Sequence, residues 1–222
     1  MSGALPAGLG NRYSVMRHGQ SKANAAGIIV ASIEADRAGD YGLTAAGREQ
    51  AARAARRSGL PAGTVICSSD FARARETARL VAGCLGAGGV TLAPELRERR
   101  FGAFDGTPAA NYGLVWAADE AGAGHAPGVE PAAAVLARAA GLVARLERRH
   151  HGRDILLVSH GDTLQILQAG FLRADPARHR ALPHLGTAEI RQLRLGPEQR
   201  ARRLEEGLDA PPGRPLPPLA AP

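Results

Sequence analysis

Two short apolar runs in this chain end on the same chemistry. Tyr13-Ser14-Val15-Met16 leads into Arg17-His18-Gly19, and Ile155-Leu156-Leu157-Val158 leads into Ser159-His160-Gly161. Each reads as a β-strand that closes on a His-Gly step. In an open α/β sheet, ligands bind at the carboxyl ends of the strands. Two such endings would bring Arg17, His18 and His160 to one pocket. Arginine offers a fork of donors that matches phosphate oxygens, and histidine is a competent covalent nucleophile. The expected ligand is an anion, and the expected chemistry is on a phosphate. Taken alone, Arg17-His18-Gly19 suits a surface turn equally well.

The elements that must hold these residues follow from pattern. Thr64-Val65-Ile66-Cys67 is β-branched and apolar, which predicts a buried strand. Shorter strand signals stand at 90–92 and, with broken alternation, at 187–195. Thr44 is placed to cap a helix over 45–57, and Ser58-Gly59-Leu60-Pro61 stops it. Ser68-Ser69-Asp70 is expected to cap a helix over 71–83. A short helix is expected over 109–118. Pro131 suits the first position of a helix whose apolar stripe is Val135, Ala139, Leu142 and Leu146, with Gly152 as its terminator. A further helix over 163–172 shows Leu164, Leu167 and Phe171 on one side. Strands alternating with helices predict an α/β fold, with a mostly parallel central sheet covered on both faces. Residues 25–42 form a long connection, expected to fold over the mouth of the site; its Ile28, Ile29, Val30 and Ile33 suit packing on the body equally well.

Composition narrows the function classes. The 222 residues suit one domain with a tail, and 45% hydrophobic residues suffice for a core. The domain is expected over 13–195, after a Gly/Pro/Ala lead at 1–12. The stretch 196–222, with six prolines from Leu208 onward, is expected to be disordered. The formal charge is +7, and Lys22 is the only lysine. Arginine clusters such as Arg97, Arg99, Arg100 are too short to argue for nucleic acid. Two cysteines do not make a disulfide framework, and Cys67 reads as a small core residue. No segment reads as a signal peptide or membrane span, so the expectation is a cytoplasmic protein. His150-His151 is explained by a helix end. His179 and His184 lack a companion cysteine or carboxylate cluster, so no metal site is expected. His184 reads as loop surface near the site, and Arg75 as a surface or salt-bridge residue.

Five ordered stretches change the weight of the histidine turns. They are Met16-Arg17-His18-Gly19-Gln20-Ser21-Lys22-Ala23-Asn24; Leu43-Thr44-Ala45-Ala46-Gly47-Arg48-Glu49-Gln50-Ala51; Ser68-Ser69-Asp70-Phe71-Ala72-Arg73-Ala74-Arg75-Glu76-Thr77-Ala78; Leu96-Arg97-Glu98-Arg99-Arg100-Phe101-Gly102-Ala103-Phe104-Asp105-Gly106; and Val158-Ser159-His160-Gly161. In this order and spacing the chain resembles the histidine phosphatase superfamily, in the branch that includes cofactor-dependent phosphoglycerate mutases. The resemblance covers residues 13–195. It implies a three-layer α/β/α sandwich with a small cap subregion. It implies His18 as the nucleophile that accepts the phosphoryl group, with Arg17, Arg73 and His160 around the phosphate. It further implies Asn24 and Gly161 as phosphate contacts and Glu98 as the proton donor to the leaving oxygen. No metal or other cofactor is implied. The partner is a small phosphorylated substrate, and a homodimer is among the assemblies such proteins form.

For several residues a plainer reading competes. Arg73 suits a solvated helix face, Glu98 a local ion pair among arginines, and Asn24 a turn. The activity expected is hydrolysis of small phosphomonoesters through a phosphohistidine. Mutases of this family carry a larger insertion between the acidic residue and the second histidine. Glu98 and His160 stand only 62 positions apart. A small cap admits water, which favours hydrolysis over return of the phosphoryl group. Mutase-type transfer and non-catalytic phosphate binding are the alternatives.

Overall fold

A computed structural model describes residues 5, 6 and 8–196, so the Pro-rich stretch lies outside the described residues apart from Gly196. Five strands form one sheet: β1 (Arg12–Arg17), β2 (Val65–Ser68), β3 (Val90–Leu92), β4 (Asp154–Ser159) and β5 (Ile190–Gln192), in the order β3-β2-β4-β1-β5. The first four run parallel, and β5 pairs antiparallel with β1. Seven α-helices accompany them among the described residues: α1 (Lys22–Ala26), α2 (Ile33–Ala38), α3 (Ala45–Arg57), α4 (Ala72–Leu85), α5 (Tyr112–Ala121), α6 (Ala132–Arg149) and α7 (Gly161–Leu172).

The period of two in the central strands builds both halves of the core. Val15, Cys67, Ile155 and Leu157 face one side and pack with Leu142, Val143 and Leu146 of α6 and Leu164, Leu167 and Phe171 of α7. Met16, Ile66, Leu156 and Val158 face the other side and meet Ala51 and Ala55 of α3 and Ala74, Ala78 and Val81 of α4. Alanine at these helix positions lets α4 lie close to the sheet and α3 close to α4. The layers are therefore helix, sheet, helix, as expected. A separate apolar cluster ties Ile29 to Phe101, Val115 and Val129, so the small cap around α5 has its own core.

Local chemistry moved several boundaries. Thr44 does cap α3, accepting from the Gly47 N–H. The α4 N-terminus has no cap from its own N-cap residue Phe71; Ser69 Oγ accepts from Phe71 N–H, while buried Asp36 of α2 accepts from Ala72 N–H at 2.9 Å. Pro131 is the N-cap of α6 rather than its first residue. The helix ends at Arg149, with His150 as its cap. Gly152 instead turns the chain at φ +64° and donates its N–H to the Gly10 carbonyl. The helix α7 begins at Gly161 and is buried almost all round, not on one side. The last strand shrinks to three residues. Before it, Ala188 sits at φ +59° and donates its N–H to the carbonyls of Arg17 and His18, clamping the chain across the strand end.

Candidate active site

Register makes the pocket. Strands β1 and β4 are adjacent and parallel, with Arg17 opposite Ser159. The residues that follow are then neighbours. His18 N–H donates to the Ser159 carbonyl at 3.0 Å, and the rings of His18 and His160 stand 5.2 Å apart, edge to face. The connection leaving β1 packs helices on one face, and the one leaving β4 packs α7 on the other. This is a topological switch point, where such sheets open a crevice.

The tautomer of His18 follows from its two contacts. Nδ1 lies 2.8 Å from the Gly19 carbonyl, which can only accept, so Nδ1 carries the proton. Nε2 then bears the lone pair, and Arg73 Nε–H donates to it at 3.2 Å. Burial, then Arg73, then Arg17 push the His18 pKa well below its ordinary value. The imidazole is therefore a neutral base with its free electron pair at Nε2. Gly19 serves this geometry in an unexpected way. A Cβ there would strike the Gly47 carbonyl of α3. The glycine lets the histidine turn lie on a helix.

Around the two imidazoles stand buried nitrogens with no hydrogen-bond partner among the described residues. Arg17 Nη1 is 2.8 Å from His184 Nε2 and donates to the Leu185 carbonyl at 3.0 Å, but its Nε is buried and unpaired. Arg73, buried on α4, donates from Nη2 to the Val30 carbonyl at 2.8 Å. Its Nη1 lies 3.6 Å from Asp36 Oδ1 and makes no hydrogen bond. His160 contacts Ser69 Oγ at 2.9 Å through Nε2, and its Nδ1 is buried and unpaired. Burial and the charge of Arg73 lower the His160 pKa as well. Unpaired buried donors are costly. Two of these belong to guanidiniums, so an anion satisfies them best.

Glu98 is 6% exposed and pairs with none of the neighbouring arginines. Arg97 turns to Asp70, and Arg99 to Asp119 and Asp162. Glu98 Oε1 accepts from Arg99 N–H at 2.9 Å and from Thr163 N–H at 3.3 Å, and it lies 3.2 Å from Thr163 Oγ1, whose proton goes to the Arg97 carbonyl at 2.9 Å. Oε2 makes no bond among the described residues. Burial first, then the charge of Asp162, pushes the Glu98 pKa up, against the lowering effect of Arg73. Glu98 lines a cleft of about 370 Å³ together with Ala31, Ser32, Phe71 and Arg100. Phe71 meets the His160 ring edge-on at 5.1 Å.

Arg17, His18, Arg73, Glu98, His160 and Gly161 thus converge. A Cβ at Gly161 would stand 3.6 Å from Arg17 Nε, which places the start of α7 beside the unpaired donor. Asn24 does not join them through any hydrogen bond. It is exposed, and its Oδ1 completes a capping box with Ser21 at the head of α1. His184 is exposed, yet it is more than loop surface, because its ring contacts Arg17. His179 is fully buried and pairs with Asp162 at 2.9 Å, a carboxylate partner that the spacing of the histidines had not suggested. Arg75 is half-buried, with an unpaired Nε and no ion pair among the described residues. Sequence reasoning also missed Asp36, which flanks Arg73, and Tyr112 of the cap. The phenol pKa of Tyr112 is raised by burial and by the charge of Glu98. Among the described residues no group of His, Cys, Asp and Glu is arranged to hold a metal ion. Nor is any helix there long and apolar enough to cross a membrane.

The two buried imidazoles make a stability prediction. Each has a folded pKa depressed below the ordinary 6.5, so the unfolded chain takes up protons first as pH falls. Stability from this source is complete above about pH 6.5 and declines below it, down to the folded values. Urea midpoints are expected to fall between pH 7 and pH 5, and His160→Asn to flatten that dependence. An unchanged slope in the variant would remove His160 as a cause.

Comparison with known proteins agrees with this geometry. Residues 14–206 match the family model described as histidine phosphatase superfamily, branch 1, and the chain belongs to that superfamily. The metal-independent phosphoserine phosphatase of Arabidopsis thaliana is 30% identical over 181 residues, which cover 73% of this chain and 69% of that one. The glucosyl-3-phosphoglycerate phosphatase of Mycobacterium tuberculosis is 31% identical over 197 residues, covering 82% and 84%. A native structure of the mycobacterial glucosyl-3-phosphoglycerate phosphatase superposes with a TM-score of 0.70 at 30% identity, covering 82% of this chain and 88% of that chain. The expected three-layer α/β fold and the expected class, a phosphoric monoester hydrolase, both stand.

Proposed function

We propose that this protein is a metal-independent phosphatase that hydrolyses small phosphomonoesters through a phosphohistidine on His18. The observation that carries the reading is the pairing of one lone pair with two unsatisfied guanidinium donors and an unpaired imidazole nitrogen. His18 Nε2 is unprotonated, while Arg17 Nε, Arg73 Nη1 and His160 Nδ1 are buried beside it without hydrogen-bond partners among the described residues. A phosphate group would meet all three and displace the Arg73 contact from Nε2. The nucleophile would then be free at the moment of binding.

The chemistry runs in two steps. His18 Nε2 attacks phosphorus, and the bond to the leaving oxygen breaks in line with it. Charge on the three equatorial oxygens is held by the two guanidiniums and His160, and the Gly161 N–H at the head of α7 adds a dipole of the right sign. Glu98, with Oε1 fixed and Oε2 free, gives its proton to the leaving alkoxide. The imidazolium of phosphohistidine is stabilised by its Nδ1–H bond to Gly19. Water then attacks phosphorus, Glu98 takes its proton, and inorganic phosphate departs as His18 Nε2 recovers its lone pair. Asn24 would contribute through Nδ2, the one part of its side chain not used in the capping box.

The relatives' names place phosphoserine and glucosyl-3-phosphoglycerate among the substrates to test first. Phosphate release from a panel of aryl, sugar and amino-acid phosphates, measured with chelator present, tests the reading. Release that survives chelator supports it. No release from any monoester would instead support a phosphate-binding protein. Interconversion of 2- and 3-phosphoglycerate without released phosphate would support mutase-type transfer.

A further inference from the structure

Behind Glu98 runs a buried chain of charge that the two-step reaction does not use. Asp162, two residues after His160, lies at its centre. Its Oδ1 accepts from Trp116 Nε1–H at 2.8 Å and pairs with His179 Nε2 at 2.9 Å; its Oδ2 accepts from Arg99 Nη1 at 3.3 Å. Arg99 also forks onto both oxygens of Asp119, at 2.5 and 2.9 Å, and His125 Nε2 stands 3.0 Å from Asp119 Oδ1. Asp162, Asp119, Arg99 and His179 are all buried.

Two junctions tie this chain to Glu98. Arg99 gives its backbone N–H to Glu98 Oε1 and its side chain to Asp162. Thr163, the next residue after Asp162, gives its N–H to the same Oε1, while its hydroxyl donates to the Arg97 carbonyl at 2.9 Å and lies 3.2 Å from that oxygen. The two carboxylates are therefore held on the same pair of dipeptides, away from water. Two buried carboxylates so placed resist ionising together. Asp162 has Trp116, Arg99 and His179 to support its charge, whereas Glu98 has only neutral donors on one oxygen. Asp162 therefore takes the charge and Glu98 the proton. Arg99 is shared between two aspartates and neutralises neither fully. The other groups that face Glu98 are Arg73 and Tyr112, with the charge of Glu98 felt also at Arg17; the cleft it lines holds Arg97, Arg100 and Arg138, and Glu34 and Glu130 of the opposite sign. The cations oppose protonation, so a counterweight is needed where the donor must stay loaded.

We propose that Asp162 is a positioning residue for proton donation, its buried charge keeping Glu98 loaded until the leaving oxygen arrives. The proposal rests on the reading of Glu98 as proton donor, and the two can fail separately.

The test compares kcat/KM against pH for β-glycerophosphate, whose alkoxide must be protonated, and p-nitrophenyl phosphate, whose leaving group needs no proton. In Asp162→Asn the alkaline limb of the β-glycerophosphate profile is expected to move to lower pH by about one unit, the low end of the effect of a like charge. At alkaline pH that is about a tenfold loss on this substrate, with the p-nitrophenyl phosphate profile in place. Asp119→Asn leaves Asp162 intact but commits Arg99 to it, and should move the same limb in the same direction by less. This second variant decides the matter if Asp162→Asn does not fold. Unmoved limbs in the folded variants, or equal losses on both substrates at every pH, would reduce Asp162 to an anchor for the cap. Glu98→Gln is the control for the parent reading: it should abolish the alkaline limb on β-glycerophosphate. If that limb persists, the donor assignment itself is wrong, whatever Asp162 does.

Discussion

His18→Ala is expected to lower kcat/KM at least about 10⁴-fold on every monoester, aryl and alkyl alike, a loss of about 5 kcal/mol in transition-state stabilisation. The loss should not depend on the leaving group, because the variant lacks the atom that attacks. Nothing nearby can stand in for Nε2. The His160 ring is 5.2 Å away and engaged with Ser69 through its own Nε2. The variant should still bind inorganic phosphate, since Arg17 Nε, Arg73 Nη1 and His160 Nδ1 remain. Rate assays, phosphate titration and a far-ultraviolet circular dichroism spectrum together check the prediction. A folded His18→Ala that retains a tenth of the activity would require another nucleophile.

Glu98→Gln should divide substrates by leaving group. An alkoxide needs a proton as the bond breaks, and loss of a general acid costs roughly 10²–10⁴-fold. A p-nitrophenolate leaves unaided, so the first step should be nearly unchanged for that substrate. Glutamine can keep the accepting carbonyl that the Arg99 and Thr163 donors require at Oε1, so the fold should be spared. The same substitution removes the base for the second step. With p-nitrophenyl phosphate, rapid release of one equivalent of nitrophenolate should be followed by slow turnover. Equal losses on both substrates, with no burst, would contradict the assignment.

What the sequence showed depended on how local the signal was. The strand–His–Gly endings, the capped helix at Thr44 and the stripe of α6 are each written within one segment, and each appears in the structure. Arg73 was ambiguous by itself. It becomes legible only through its place after β2, at the edge where β1 and β4 also end. The direction of β5 was not written at all, because antiparallel pairing of a three-residue strand leaves no pattern distinct from a parallel one. Asp36 was hidden for a different reason. It comes from the long connection at 25–42, caps α4 and faces Arg73, three roles that exist only once the chain has folded. His179 was read against its sequence neighbours and seemed alone. Its partner Asp162 lies 17 positions away, next to a motif already singled out. A carboxylate directly after His160-Gly161, together with Arg99 directly after Glu98, was the available hint that acidic and basic groups meet behind the site.

The connection at 25–42 shows how packing and chemistry share one segment. The sequence allowed either a lid or plain structure, and Ile29 is buried in the cap cluster while the Val30 carbonyl holds Arg73 Nη2. The segment thus fixes the Arg73 guanidinium, proposed to bind phosphate, through its backbone while its side chains join the cap cluster.

The central claim is a covalent phosphoryl group on His18. The direct measurement is a rapid quench of the enzyme with ³²P-labelled substrate and chelator, followed by peptide mapping of the label. The account predicts label on the peptide carrying His18, stable in alkali and lost in mild acid, accumulating before steady turnover and absent from His18→Ala. Turnover without any trapped label, or label that survives acid on a serine or aspartate peptide, would contradict it.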